Sequence, residues 1–401
     1  MTKVLLIQPP PPMPNFGDVL SLGLCSIAAF LRGQGIKTRV VDLARHSLPE
    51  DWVPDIVGIG AATPYARKAI STAKDVRRRF PDARIVFGGH HFTAMPEDAF
   101  PHADAVVRGE GELAMLDICQ QGIRHRVIKG TPLPDIDDVP PFDDELMDAL
   151  YAGRPGRLNI VGARGCPFSC VFCAEHTKKI RYQSVDRFVD TVERMARRYH
   201  NEVFISDDIF TLNKARSTEI CEQFIRRGLN LRLTVLGHVQ CFDEELLNLL
   251  KRAGVHTLSY GIESGNNEIL KLVHKKFQTE QAAEVIHRTA ASGIMVNCLY
   301  MVGNIGETEE SVADTVAFAR AHSDVRWCSY ALPFPGTQFH KVADRYGTVR
   351  TRDWEKYTNQ NIVFVPHGLT EVTMRTARDA IVQRPPVVAA RAAAKPQPAT
   401  V

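Results

Sequence analysis

Cysteines 166, 170 and 173 stand within eight residues of one another in "GCPFSCVFCAEH" (165–176), a C-x3-C-x2-C run. Thiolate is a soft ligand that suits zinc or iron–sulfur chemistry, so the run reads as a metal site. Structural zinc needs a fourth ligand, and His176, three residues past Cys173, is a candidate for it. Zinc ligands usually arrive as two pairs from separated turns, whereas these share one loop. The other reading is a cubane cluster held by three cysteines, which leaves one iron open to a substrate or cofactor. Polar residues also mark the ends of later apolar runs. "SDDIF" carries Asp207 and Asp208, "YGIESG" carries Glu263 and Ser264, and Asn297 lies in the next run. One aspartate could equally cap a helix, and a buried glutamate on a strand needs a partner whatever its role.

The elements that must position these residues alternate. From "LNIVGARG" onward, short apolar runs are followed by helical patterns such as "VDRFVDTVERMARRY", apolar at 185, 188, 189, 192, 195 and 199. About six βα units fit, too few for a closed eight-unit barrel, so an open partial barrel is expected. The first 130 or so residues alternate in the same way, which predicts βαβ units and a parallel sheet. Ligands on such sheets sit at the carboxyl ends of the strands. Four of the five strand ends read there are marked: "QPPPPMPNFGD", "ATPYA", "GGHHFTAMPEDAF" and "RGEGE". Residues 131–157, rich in proline, aspartate and glycine, read as a linker with one short helix. The barrel is expected over 158–345, a C-terminal extension over 346–383, and a disordered low-complexity tail over 384–401.

The 401 residues carry a net charge of +3, too weak a basic balance to argue for nucleic acid. No secretory signal is visible, and the longest apolar stretch, "LSLGLCSIAAFL", is too short to span a bilayer. A cytoplasmic protein without a membrane span is expected. The six remaining cysteines (25, 119, 221, 241, 298 and 328) are scattered and read as buried small hydrophobes, not disulfides.

"GCPFSCVFCAEH" resembles the cluster loop of the radical S-adenosylmethionine (SAM) superfamily. The resemblance implies a 4Fe-4S cluster on Cys166, Cys170 and Cys173, with SAM chelating the open iron and yielding a 5′-deoxyadenosyl radical. It implies Phe172 against the adenine, Asp207 or Asp208 accepting from the methionyl ammonium, and Glu263, Ser264 and Asn297 on the ribose or methionyl group. An external electron donor of flavodoxin or ferredoxin type is implied as well. Residues 3–340 are similar to the cobalamin-binding branch, on "KVLLIQPPPP", "DIVGIGAAT", "IVFGGHHFTAMPEDAF", "ADAVVRGEGE", "GIESGNNEILK", "GNIGETEES" and "PFPGT". The implied fold is α/β: a Rossmann-like cobalamin-binding-type domain over 1–130, then a partial (β/α)6 barrel. Ser21, Thr63, Gly88, Gly89, His90, Gly109 and Glu110 are the implied corrinoid contacts, with His91 an alternative to His90. The Asp-x-His-x-x-Gly signature is absent, which implies cobalamin bound without a histidine below it. The family's Gly-x-Pro-Gly-Glu turn reads Gly303, Asn304, Ile305, Gly306, Glu307, without the proline. The implied function is methylation of an unreactive carbon of a biosynthetic small molecule. Radical cyclisation or rearrangement without methyl transfer is the alternative, and a non-catalytic cobalamin or metal sensor a lesser one. Methylthio transfer is disfavoured, because it needs three N-terminal cysteines and only Cys25 and Cys119 lie there.

Overall fold

The computed structural model describes residues 2–13, 20–154, 156–174 and 177–383. The expected tail at 384–401 and His176 therefore lie outside the described residues.

The first strand, β1 (Lys3–Gln8), is a continuous apolar run. Val4 and Leu6 pack into one core, Leu5 and Ile7 into another, so the strand is covered on both faces. That is the signature of a parallel sheet with helices on each side. β2 (Lys37–Asp42), β3 (Ile56–Gly60), β4 (Arg84–Gly88), β5 (Ala105–Gly109) and β6 (Val127–Gly130) complete the sheet. The order is β2-β1-β3-β4-β5-β6, and every adjacent pair is parallel. The chain changes direction across the sheet between β1 and β3, the crevice where such folds bind ligands. Five of these strands were read from the sequence. β6 escaped because it is a four-residue edge strand with an exposed Val127 and little periodicity.

The second sheet is built from β7 (Leu158–Ile160), β10 (Glu202–Ile205), β11 (Arg232–Gly237), β12 (Val255–Glu263), β13 (Met295–Val302) and β14 (Val325–Tyr330). Its order is β14-β13-β12-β11-β10-β7, again all parallel. β7 and β14 are both edges, so the barrel is open. Between β7 and β10, β8 (Ala163–Arg164) and β9 (Arg181–Tyr182) form a short antiparallel pair. β15 (Gly347–Val349) and β16 (Phe364–Pro366) make a second small hairpin. Several helices start at side-chain caps, as where Asp243 Oδ1 accepts from the Leu246 N–H at 2.8 Å. Helix 185–198 buries Phe188, Val189, Val192 and Met195, the stripe the sequence shows.

The proline-rich stretch between the sheets is packed. Its helix, Asp144–Tyr151, sends Leu146 and Leu150 into the first domain's core and Met147 into the barrel's. The C-terminal helix Glu371–Val382 buries Met374, Ala377 and Ile381 in the barrel core. Trp354 donates its indole N–H to Asp98 at 2.9 Å, tying this extension to the first domain. Among the described residues no helix is long and apolar enough to cross a membrane.

Candidate active site

β8 and β9 are the neck of the loop that carries the three cysteines. The neck is tight at Gly165, where φ is 102° and a Cβ would meet the Lys179 and Thr177 carbonyl oxygens at 2.8 and 2.9 Å. Only glycine fits such a position. The Cys166 N–H donates to the Thr177 carbonyl at 3.0 Å, Val171 N–H to Val273 O at 3.2 Å, and Phe339 N–H to Val171 O at 2.8 Å. The loop is thus pinned to the carboxyl end of the barrel. Cys166 and Cys170 are half-buried and Cys173 is exposed. Burial raises both half-buried thiols. The backbone N–H of Phe168 works against it at Cys166, and the Lys275 cation does so at Cys170. Cys173 raises both, which marks the thiols as close neighbours.

Asp207 and Asp208 divide the work at the end of β10. Asp207 is buried, and its Oδ1 accepts from the Gly162 and Ala163 N–H groups at 2.6 and 3.0 Å. Burial pushes its carboxyl up to about 6 against those two bonds. It holds the start of the cysteine loop. Asp208 is exposed, and its charge raises Cys166. Glu263 closes β12 with φ 69°. Its carboxylate pairs with Lys275 at 3.2 Å, both side chains nearly buried. A non-glycine residue held in the left-handed region is strained, and such strain gathers at functional sites. Phe172 packs half-buried with Met301 and Leu272 against the core that holds Val171 and Val273. Ser264 is fully buried, bonded to Thr315 Oγ1 at 3.1 Å and accepting from the Asn266 N–H at 3.2 Å. Asn297 is not brought to the others. It is the third residue of β13, beside Ser259 and the first residue of β14, toward the amino ends of the strands.

The carboxyl ends of the two sheets face each other across a cavity of about 810 Å3. Ser21, Gly88, Gly89, His90, Gly109 and Glu110 line it from the first domain, and Arg164, Gly165, Ser206 and Asp208 from the barrel. Gly89 (φ 88°) rests on the residue just after β3, where a Cβ would lie 2.7 Å from both N and O of Ala61. His90 is exposed on the cavity wall, whereas His91 is buried with Nε2 3.0 Å from Asp98. Thr63 is also buried, with Oγ1 3.4 Å from His91 Nδ1, and does not line the cavity.

Residues 160–319 match the Radical SAM superfamily, and residues 16–118 match the B12 binding domain. This chain is a radical SAM enzyme with a cobalamin-binding domain. It is 29% identical to an uncharacterized methyltransferase of Pyrococcus horikoshii, over 95% of this chain and 92% of that protein. It is 29% identical to the anaerobic magnesium-protoporphyrin IX monomethyl ester cyclase of Rubrivivax gelatinosus, over 86% of this chain and 69% of that one. The fold is similar to that of the radical SAM methyltransferase TsrM from Kitasatospora setae, solved with cobalamin and a [4Fe-4S] cluster. The TM-score is 0.71 at 20% identity, over 95% of this chain and 85% of that one.

Among the described residues, no group of three or more His, Cys, Asp or Glu side chains is gathered tightly enough to hold a metal ion as it stands. The radical SAM loop fits a cluster by its donor chemistry: three neighbouring thiols, all soft ligands, with no disulfide between them. The sequence did not point to what joins the two domains. Arg164 in β8 donates to Glu110 at 3.0 Å, Ser26 at 2.8 Å and Glu112 at 2.9 Å. Arg181 in β9 donates to the Leu133 carbonyl at 2.7 Å and to both oxygens of Glu110. Burial pushes the Glu110 carboxyl up, but the two guanidiniums hold it below the ordinary range. Two arginines of the radical SAM loop neck are therefore clasped by carboxylates of the B12-binding domain. His238, stacked on Phe168 of the loop, was missed as well.

Proposed function

We propose that this chain is a cobalamin-dependent radical SAM methyltransferase acting on an unreactive carbon of a small molecule. One observation carries the reading. Gly165, Ala174 and Thr177 of the cysteine loop and the glycine-marked strand ends of the B12-binding domain line the same cavity. Cys166, Cys170 and Cys173 would hold a 4Fe-4S cluster, and the Gly88–His90 and Gly109–Glu110 turns would hold the corrinoid. When bound, the cluster and SAM supply a 5′-deoxyadenosyl radical, and the corrinoid carries the methyl group. The chain's own part is positional. Asp207 holds the loop, Asp208 offers a carboxylate to the cavity, and Glu263 with Lys275 presents a fixed ion pair beside Cys170. Leu20, Leu24, Ile27 and Phe87 keep part of the wall apolar, which restricts water around a reactive intermediate. An external one-electron donor of flavodoxin or ferredoxin type is part of the proposal.

The test is anaerobic reconstitution with iron, sulfide and hydroxocobalamin. Iron and sulfide content, the corrinoid absorption spectrum, and formation of 5′-deoxyadenosine and S-adenosylhomocysteine are then measured. A preparation that loads the cluster and cleaves SAM but retains no corrinoid would sink the methyltransferase reading. The second reading, radical cyclisation without methyl transfer, is favoured by the similarity to the cyclase of Rubrivivax gelatinosus. Deoxyadenosine formation without S-adenosylhomocysteine, on a substrate that turns over, would select it.

A further inference from the structure

His238 is the first residue after β11, and the reading above gives it no role. Its ring lies flat against Phe168, with centroids 4.0 Å apart and planes 14° from parallel. Phe168 belongs to the segment joining Cys166 to Cys170. Phe277 meets the ring edge-on at 5.6 Å. Nδ1 accepts the backbone N–H of Gln240 at 3.2 Å. That bond fixes the tautomer, because a neutral imidazole whose Nδ1 accepts carries its hydrogen on Nε2.

Nε2 is buried and has no hydrogen-bond partner among the described residues, and the residue is only 7% exposed. Buried N–H groups are nearly always matched, and an exception points to a missing acceptor. The nearby cation, Lys275, is already engaged with Glu263. The imidazole is different: a donor held in place by a cap on one side and a stacked ring on its face, with nothing to donate to. The ring is stacked on the segment between two cysteines, the loop whose thiols would hold a cluster.

We propose that His238 Nε2–H donates a hydrogen bond to a sulfur of the iron–sulfur cluster and thereby raises the cluster's reduction potential. The inference rests on the assignment of Cys166, Cys170 and Cys173 as cluster ligands. Reduction adds negative charge to the cluster, and a hydrogen bond to sulfur stabilises the reduced state more than the oxidised one. His238 is thus a positioning residue for the redox step, set into the loop by Phe168.

The experiment is potentiometric EPR on the anaerobically reconstituted full chain, without SAM or corrinoid, for wild type, His238→Asn and His238→Gln. Asparagine keeps an acceptor for the Gln240 N–H but is too short to replace Nε2. Glutamine reaches further and restores an N–H. His238→Asn should shift the reduction equilibrium about tenfold toward the oxidised cluster, about 59 mV lower for one electron. His238→Gln should recover at least half of that shift. EPR reads only molecules that hold a cluster, so poorer loading of a variant does not blur the comparison. A wild-type potential in His238→Asn overturns the proposal. If a separate equilibrium titration with SAM then shows weaker SAM binding in His238→Asn, the donor belongs to SAM instead. A wild type that loads no cluster overturns the ligand assignment itself, and this inference with it.

Discussion

Arg181→Met tests whether the clasp between the domains holds the cysteine loop. The Arg181 side chain is 7% exposed and Glu110 is 19% exposed, so the pair is largely withdrawn from water. Methionine keeps the apolar stem and removes the donors to Leu133 O and to both Glu110 oxygens. Breaking a buried ion pair by removing one partner costs about 3–5 kcal/mol. The lower end applies, because Glu110 keeps its bond from Arg164 at 3.0 Å. A loss of about 3 kcal/mol corresponds to a fall of roughly 6–12 °C in thermal midpoint for a domain of this size. Arg181→Lys keeps the charge but not the fork, and about half the loss is expected.

The same pair sets a pH dependence. Glu110 in the folded chain titrates below its ordinary value of 4.5. Its stabilisation is therefore present above that value and is lost as pH falls through the folded value. Arg181→Met should lose less between pH 6 and pH 4 than wild type does. Thermal unfolding of the apoprotein at both pH values, with iron content after reconstitution as a second readout, measures this. A midpoint within 1 °C of wild type at pH 7 would refute the view that the clasp holds the loop.

Three further outcomes are expected. Asp207→Ala strands the Gly162 and Ala163 N–H groups, each worth about 1–3 kcal/mol when left unmatched, and should lower both thermal midpoint and cluster content. Gly89→Ala forces a Cβ to 2.7 Å from the Ala61 backbone at a positive φ; corrinoid retention on gel filtration should fall at least tenfold while cluster content is kept. Glu307, fully buried and accepting from Gly303 and Asn304, has its carboxyl pushed by burial from 4.5 up to about 7. Its stability contribution is present below 4.5 and lost as pH rises through 7, on the order of 3 kcal/mol; Glu307→Gln should flatten the stability–pH curve over that window in urea titrations.

The sequence was most legible where one local signal sufficed. Three thiols in eight residues need no partner to be noticed, and six βα units can be counted from periodicity alone. It was weaker where a residue's meaning depends on what faces it. Asp207 and Asp208 are adjacent and chemically identical, yet one is turned onto the Gly162 and Ala163 N–H groups and the other onto the cavity. His90 and His91 divide in the same way, one exposed on the cavity and one buried against Asp98. Asn297 lies apart from the others for a different reason. A strand assignment fixes which face a residue takes, but its distance from the carboxyl end depends on where β13 starts, and that boundary is poorly marked. Arg164 and Arg181 could not be read at all, because Glu110 and Glu112 lie 52 to 71 residues away in another domain.

That long-range clasp explains how two sheets with separate apolar cores can line one cavity. Each domain has its own apolar core, and the helix Asp144–Tyr151 bridges them with only a few side chains. Apolar contact is non-directional and would leave the sheets free to slide. A guanidinium fork on a carboxylate fixes distance and angle together. Glu110 also lines the cavity, directly after the Gly109 turn. One carboxylate therefore grips both strands of the loop neck from the wall proposed for the corrinoid. Arg164, gripped from that wall, stands one residue from Gly165 and two from Cys166.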